Sequence, residues 1–219
     1  MRFQNAIFDF DGTLFDSMFL WETLGEAFLR SQGRVPRPGL RDALRPMSMY
    51  QSAVFLKREY DLPLTPEEIT CGVNAAIEGF YLHEVQPKPG VPGFLEALSG
   101  AGVRMAIATA SDRAHVEGAL HRCGLDSFFD GIFTCTEMGQ GKDTPLVFRH
   151  AMKALGGDRG NTILFEDAIH AIRTAKDDGF FVAGVQDESE GRQEEVKRLC
   201  DIYLPDFLHT EDFWKAASE

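Results

Sequence analysis

The sequence predicts an α/β fold: a Rossmann-like doubly wound parallel sheet, interrupted early by an all-helical insert. Three observations predict it. Short runs recur along the chain that are apolar on both faces, as strands covered on both sides would be. Helical patterns separate these runs. One long stretch after the first run, 16–86, carries helical periodicity and no convincing strand.

Strands are expected at 6–10, 103–108, 131–134, 162–165 and 181–185, with a weaker one at 202–204. Between them, 92–101 carries Phe94, Leu95 and Leu98 at helical spacing. The stretch 112–123 begins on Asp112 as a cap and stops before Gly124. The next helix, 144–155, has Pro145 in its first turn and ends before Gly156 and Gly157; the last, 168–178, ends at Gly179. Within the insert, helices are expected at 18–31, 40–44, 49–60 and 66–84. In the last of these, Ile69, Val73, Ala76, Ile77 and Phe80 share one face. The Pro/Gly-rich stretch "QPKPGVPG" closes the insert. The expected division is therefore 1–15 with 87–219 as the sheet domain, and 16–86 as the inserted helical domain.

At 219 residues the chain can bury a substantial core. A net charge of −12 argues against a nucleic-acid backbone or an anionic membrane as partner. It would repel an anionic small molecule too, so a site for one needs its own cations. No stretch approaches the ~20 apolar residues of a membrane span, and the first residues lack the pattern of a secretory signal. Four scattered cysteines, Cys71, Cys123, Cys135 and Cys200, form no CxxC pair and read as reduced thiols in a cytoplasmic protein.

Open parallel sheets bind ligands beyond the carboxyl ends of their strands. After the first expected strand come Asp9, Asp11, Gly12 and Thr13; after the second, Thr109, Ala110, Ser111 and Asp112. Lys142 lies beyond the third, and Glu166 and Asp167 follow the fourth. Neither GxGxxG nor a Walker loop is present. Residues two apart on a strand share a face, so Asp9 and Asp11 would start parallel, with Phe8 and Phe10 turned away. Two carboxylates that close repel unless a proton or cation intervenes. A hard cation such as Mg²⁺ between Asp9 and Asp167 would remove that penalty and attract phosphate oxygens.

"DFDGTLFDS", Thr109 in "MAIATAS", Lys142 in "GKDTP" and "FEDAIHAIRTAKDDG" match, in order, the four motifs of the haloacid dehalogenase-like hydrolase superfamily. The chain resembles its helical-cap members, the phosphoglycolate phosphatase and β-phosphoglucomutase-like proteins, and the insert falls where their cap does. The resemblance implies that Asp9 is a nucleophile forming an aspartyl-phosphate. Asp11 would be general acid, then base. Mg²⁺ would be held by the Asp9 and Asp167 carboxylates and the Asp11 backbone carbonyl. Thr109, the Ala110 amide and Lys142 would hold the phosphoryl group, and Glu166 would support the metal through water. It further implies a Mg²⁺-dependent phosphatase of a small phosphorylated metabolite, expected to be a monomer, with a homodimer left open.

Other residues have plainer readings. Asp167 can also cap the helix that follows it, and Ser111 and Asp112 read as caps rather than substrate contacts. Arg34, Arg37 and Arg41 read as a solvated basic face. Arg45 is the candidate substrate contact: "LRPMSMY" resembles a K-G-x-S-R loop of sugar-phosphate mutases, with Pro46 in place of the glycine and Met49 in place of the second arginine. That departure, together with Thr13, weighs against the alternative of a phosphomutase. A dehalogenase fits the carboxylate pattern less well. A phosphonate hydrolase would need a lysine in the insert, where Lys57 stands alone. A non-catalytic signalling protein of the receiver type would be shorter and lack the insert. Phe15, Phe19 and Trp21 read as packing residues, and His170 as a helix-surface residue.

Overall fold

The structure, a computed structural model, describes residues 1–218. Six strands form one sheet: β1 (Asn5–Phe8), β2 (Arg104–Thr109), β3 (Gly131–Thr134), β4 (Thr162–Glu166), β5 (Phe181–Val185) and β6 (Ile202–Leu204). Their order is β3-β2-β1-β4-β5-β6 and every pairing is parallel. The order reverses direction at β1, so the loop after β1 sits at the switch point where such sheets open a crevice.

Alternation along the strands divides the core in two. Ala6, Phe8, Met105, Ile107, Ile163 and Phe165 join one apolar cluster, whereas Ile7, Ala106, Ala108 and Leu164 join the other. On the first face lie α5 (Val91–Gly100), α6 (Arg113–Cys123) and α11 (Glu211–Ser218). On the second lie α7 (Cys135–Met138), α8 (Leu146–Ala154), α9 (Ile169–Asp177) and α10 (Gln193–Leu199). Phe8 stacks on Phe165 at 4.4 Å between ring centroids. Fully burying one such ring stabilises the fold by about 1.5–3 kcal/mol.

Four helices fill the interval between β1 and α5: α1 (Met18–Ser31), α2 (Leu40–Leu44), α3 (Met49–Tyr60) and α4 (Pro66–His83). Both longer C-terminal members start on capping boxes. Ser48 and Gln51 exchange bonds at the head of α3, and Thr65 and Glu68 do so at α4, with Pro66 in the first turn. Their inner residues, among them Leu24, Phe28, Leu56, Ile69 and Tyr81, belong to the same apolar cluster as the first face of the sheet. The chain enters and leaves this insert side by side. Asp16 N donates to Gln86 O at 3.0 Å and Lys88 N to Leu14 O at 2.8 Å, with Phe15 bridged to Pro87. Gly90 closes the return at φ 86°, where a Cβ would lie 2.4 Å from the Phe207 carbonyl carbon.

Two expectations shift. The first strand ends at Phe8, not residue 10, because Leu14 and Phe15 fold back to donate to the Phe10 carbonyl. Phe10 then stacks on Phe15 at 4.4 Å instead of continuing the sheet. The i, i+2 rule therefore does not govern Asp9 and Asp11. In α8, Pro145 stands at the N-cap rather than in the first turn. The short α7, α10 and α11 have no counterpart in the sequence reading. The first two are too brief for periodicity to show, and α11 buries Phe213 and Ala217 at the chain's end.

Candidate active site

The loops beyond β1, β2 and β4, with the segment after α7, converge on one buried polar cluster. Asp9 N continues the ladder, donating to Phe165 O at 3.0 Å, which fixes its side chain beside the end of β4. Lys142 Nζ donates to Asp9 Oδ1 and, at 2.9 Å, to Glu166 Oε1. Lysine is almost never buried unless paired; here only 5% of Lys142 is exposed. Burial alone would lower its pKa, but the carboxylates of Asp9 and Glu166 outweigh it, so Lys142 stays charged. Glu166 Oε2 accepts from the Asp167 amide at 2.9 Å.

Two of the three buried carboxylates, Asp9 and Glu166, thus share one ammonium, and Asp167 lies beside them without it. Burial first, then the neighbouring acids, pushes the pKa of both Glu166 and Asp167 up. One oxygen from each of Asp9, Glu166 and Asp167 lies within 4.8 Å of the others. Asp167 Oδ1 accepts from Thr13 Oγ1 at 2.9 Å, but Asp167 Oδ2 is buried without any partner. Gly12, at φ 83°, leaves that oxygen room: a Cβ there would come within 2.7 Å of it. Hard oxygen donors, excess negative charge and an orphaned lone pair fit a small divalent cation. Asp167 does not cap α9; Ala168 holds the N-cap position, without a side-chain bond.

Asp11 faces another way. Its carboxylate accepts from the hydroxyls of Ser17, Tyr81 and Ser111. Burial and then Asp9 raise its pKa, against those three hydrogen bonds. Trp21 Nε1 in turn donates to the Tyr81 hydroxyl at 2.6 Å. Thr109 is fully buried at the end of β2, its Oγ1 accepting from Ser111 N at 3.0 Å.

Several plainer readings are corrected. Ser111 is not a cap; its hydroxyl is spent on Asp11. Asp112 takes the N-cap position of α6 by backbone alone. Its carboxylate accepts from Asn74 of the insert and, at 3.1 Å, from Thr136. Phe19 is 58% exposed, touching only the edge of Phe80 among aromatic rings, whereas Phe15 is fully buried. His170 is half-buried and lines the cavity above the cluster; burial, then Lys142 and Arg45, pushes its pKa down to about 4. Nothing in the sequence marks Tyr81 or Ser17 as partners of Asp11. Tyr81 stands 70 positions from Asp11, and nothing local marks the contact.

A cavity of about 170 Å³ opens between this edge and the insert. Asp9, Asp11, Ala110, Lys142, Glu166 and Asp167 line its floor. Arg45 reaches its rim but is already tied to the loop after β5, donating to Ser189 O at 2.9 Å and lying 3.7 Å from Glu190. Arg41 donates to the same carbonyl at 2.9 Å and pairs with Glu22 rather than standing on a solvated face. Lys57 donates to the carbonyls of Leu62 and Leu64, closing the turn after α3.

Such a fold and edge define a class: α/β enzymes whose chemistry sits at the carboxyl ends of a parallel sheet, beneath an inserted helical layer. The family model of the haloacid dehalogenase-like hydrolases matches residues 3–177, and the chain belongs to that family. It is 28% identical to the pyrophosphatase PpaX of Halalkalibacterium halodurans over 214 residues, covering 95% of this chain and 96% of that one. It is 26% identical to a phosphoglycolate phosphatase of Neisseria meningitidis, covering 83% and 80%. Among solved structures it resembles CbbY of Rhodobacter sphaeroides in complex with phosphate, with a TM-score of 0.82 at 21% identity, covering 96% and 97%. It also resembles a β-phosphoglucomutase of Clostridium difficile, with a TM-score of 0.81 at 16% identity, covering 98% and 96%. The last two likenesses speak to the fold alone. Among the described residues, no helix is long and apolar enough to cross a membrane.

Proposed function

We propose that this hydrolase is a Mg²⁺-dependent phosphatase of a small phosphate monoester. The observation that carries the reading is the buried Lys142 bridging Asp9 and Glu166, beside an orphaned Asp167 oxygen, on the floor of the cavity beneath the insert. Relatives named as a pyrophosphatase and a phosphoglycolate phosphatase support it. Asp9 and Asp167 would hold the cation with the Asp11 carbonyl, and Glu166 would act from behind through water. When bound, the cation neutralises phosphoryl oxygens and quiets the carboxylates around it.

Asp9 attacks phosphorus in line with the leaving oxygen and takes the phosphoryl group as an aspartyl-phosphate. Lys142 offsets charge on that group and on Asp9. Thr109 and the Ala110 amide hold its remaining oxygens. Asp11 suits the proton transfer: burial and Asp9 raise its pKa, which favours the form that can donate to the departing alcohol. Once deprotonated, it accepts a proton from the water that opens the acyl phosphate. The insert, 16–86, acts as a cap domain that excludes water from the cavity. Free cysteines fit a reduced, cytoplasmic setting. A sugar phosphomutase has less support, because Met47 and Met49 face the cavity where sugar hydroxyls would need partners. A phosphonate hydrolase has none from Lys57, which is spent on a turn.

The test is phosphate release from a generic aryl phosphate. We expect turnover with Mg²⁺ and none after chelation; equal rates in both would overturn the reading.

A further inference from the structure

We propose that the monoester hydrolysed here carries a compact apolar group, such as a short alkyl chain or a single ring, rather than a polyol or sugar. This rests on the phosphatase reading and deepens it. Above the polar floor, the wall of the cavity comes from the insert, with Trp21, Leu44, Met47, Met49, Ala53 and Val73 among its residues. These include three almost fully buried side chains: Met49 at 7%, Ala53 at 1% and Val73 at 5% exposed. The cavity thus reaches into the apolar centre of the insert itself.

Polar groups on that wall are already committed. Trp21 Nε1 donates to Tyr81, Arg41 to Ser189 and Glu22, and Arg45 to Ser189. Glu26 pairs with Arg30. The hydroxyl of Ser52 is the only one the insert offers to the cavity among the described residues. Against the apolar part of this wall a substrate hydroxyl would give up water with only Ser52 of the insert and His170 of the sheet domain as uncommitted side-chain partners, which is costly. An alkyl group would only exchange water for apolar contact, which is favourable. At about 170 Å³ the space is on the scale of the ~150 Å³ apolar cavities that accept benzene.

Butyl phosphate and glycerol phosphate, similar in length and different in hydroxyls, test this. Each competes, in Mg²⁺, against hydrolysis of a generic aryl phosphate. Butyl phosphate should inhibit at least about tenfold more tightly, the scale on which apolar pockets sort such groups. Val73→Thr, which puts a hydroxyl in the wall with little change of shape, should narrow the gap; should it fail to fold, the wild-type ratio decides alone. Equal inhibition, or tighter inhibition by glycerol phosphate, overturns the substrate class and leaves the phosphatase standing. No phosphate release from the aryl ester overturns both.

Discussion

The sheet edge and the helical insert present opposite surfaces to one cavity. The edge is dense with buried charge whose members answer one another: Lys142 to Asp9 and Glu166, Thr13 to Asp167. The insert presents hydrocarbon, and its charged residues are turned to one another or to the loop after β5. On the proposed reading, one surface handles a phosphoryl group whatever is attached to it, and the other sorts what is attached. Tyr81 is the exception among the insert's helices, joined by Ser17 just before α1. Tyr81 sits on α4 of the insert, yet its hydroxyl reaches Asp11 at the edge.

The largest expected effect falls on the edge. Asp9→Asn should cut phosphate release by at least about 10³-fold, the scale seen when a nucleophile is removed; a residual rate within tenfold of wild type would break the division of labour. Next, Lys142→Met leaves buried carboxylates without their cation and should cost about 3–5 kcal/mol of stability. Thermal unfolding checks it, and Mg²⁺ should recover part of the loss by taking over the lysine's charge. Tyr81→Phe probes the exception. Losing one hydrogen bond to Asp11 is worth about a tenfold fall in kcat. It should also move the basic limb of the pH–rate profile upward, since that bond holds the Asp11 pKa down. An unchanged profile would return Tyr81 to simple packing.

A further effect is on stability against pH. His170 lies at the cavity with its pKa pushed from 6.5 to about 4 by burial, Lys142 and Arg45. Between those values the unfolded chain takes up a proton that the folded chain refuses, so acidification across that window favours unfolding. His170→Asn should therefore flatten the loss of stability from pH 6.5 down to pH 4; an unaltered slope would mean that the imidazole is not held neutral.

Much of the edge was legible because its chemistry is local. Asp9, Asp11 and Gly12 stand within four residues, and Glu166 and Asp167 are adjacent, each just past an apolar run that reads as a strand. Parallel pairing then brings those strand ends together without further instruction. The partners of Asp11 were not legible in this way. Ser111 reads as a helix cap because Ser and Asp at a helix start ordinarily cap, and only the carboxylate of Asp11, on the loop after the neighbouring strand β1, gives its hydroxyl another use. Tyr81 lies on a helix whose apolar face predicts burial but not a partner. The end of β1 was misplaced because Phe10 looks like a strand residue, while its ring is needed between Phe15 and Tyr81.

The paired linkers around Phe15 and Pro87 have an evolutionary reading. A stretch that departs and returns through neighbouring backbone can be exchanged for another without disturbing a single strand of the sheet, as inserted segments generally are where their ends lie close. Grafting a different helical segment between Asp16 and Gln86 would recast substrate preference in one step, provided the newcomer brings its own hydroxyl to Asp11.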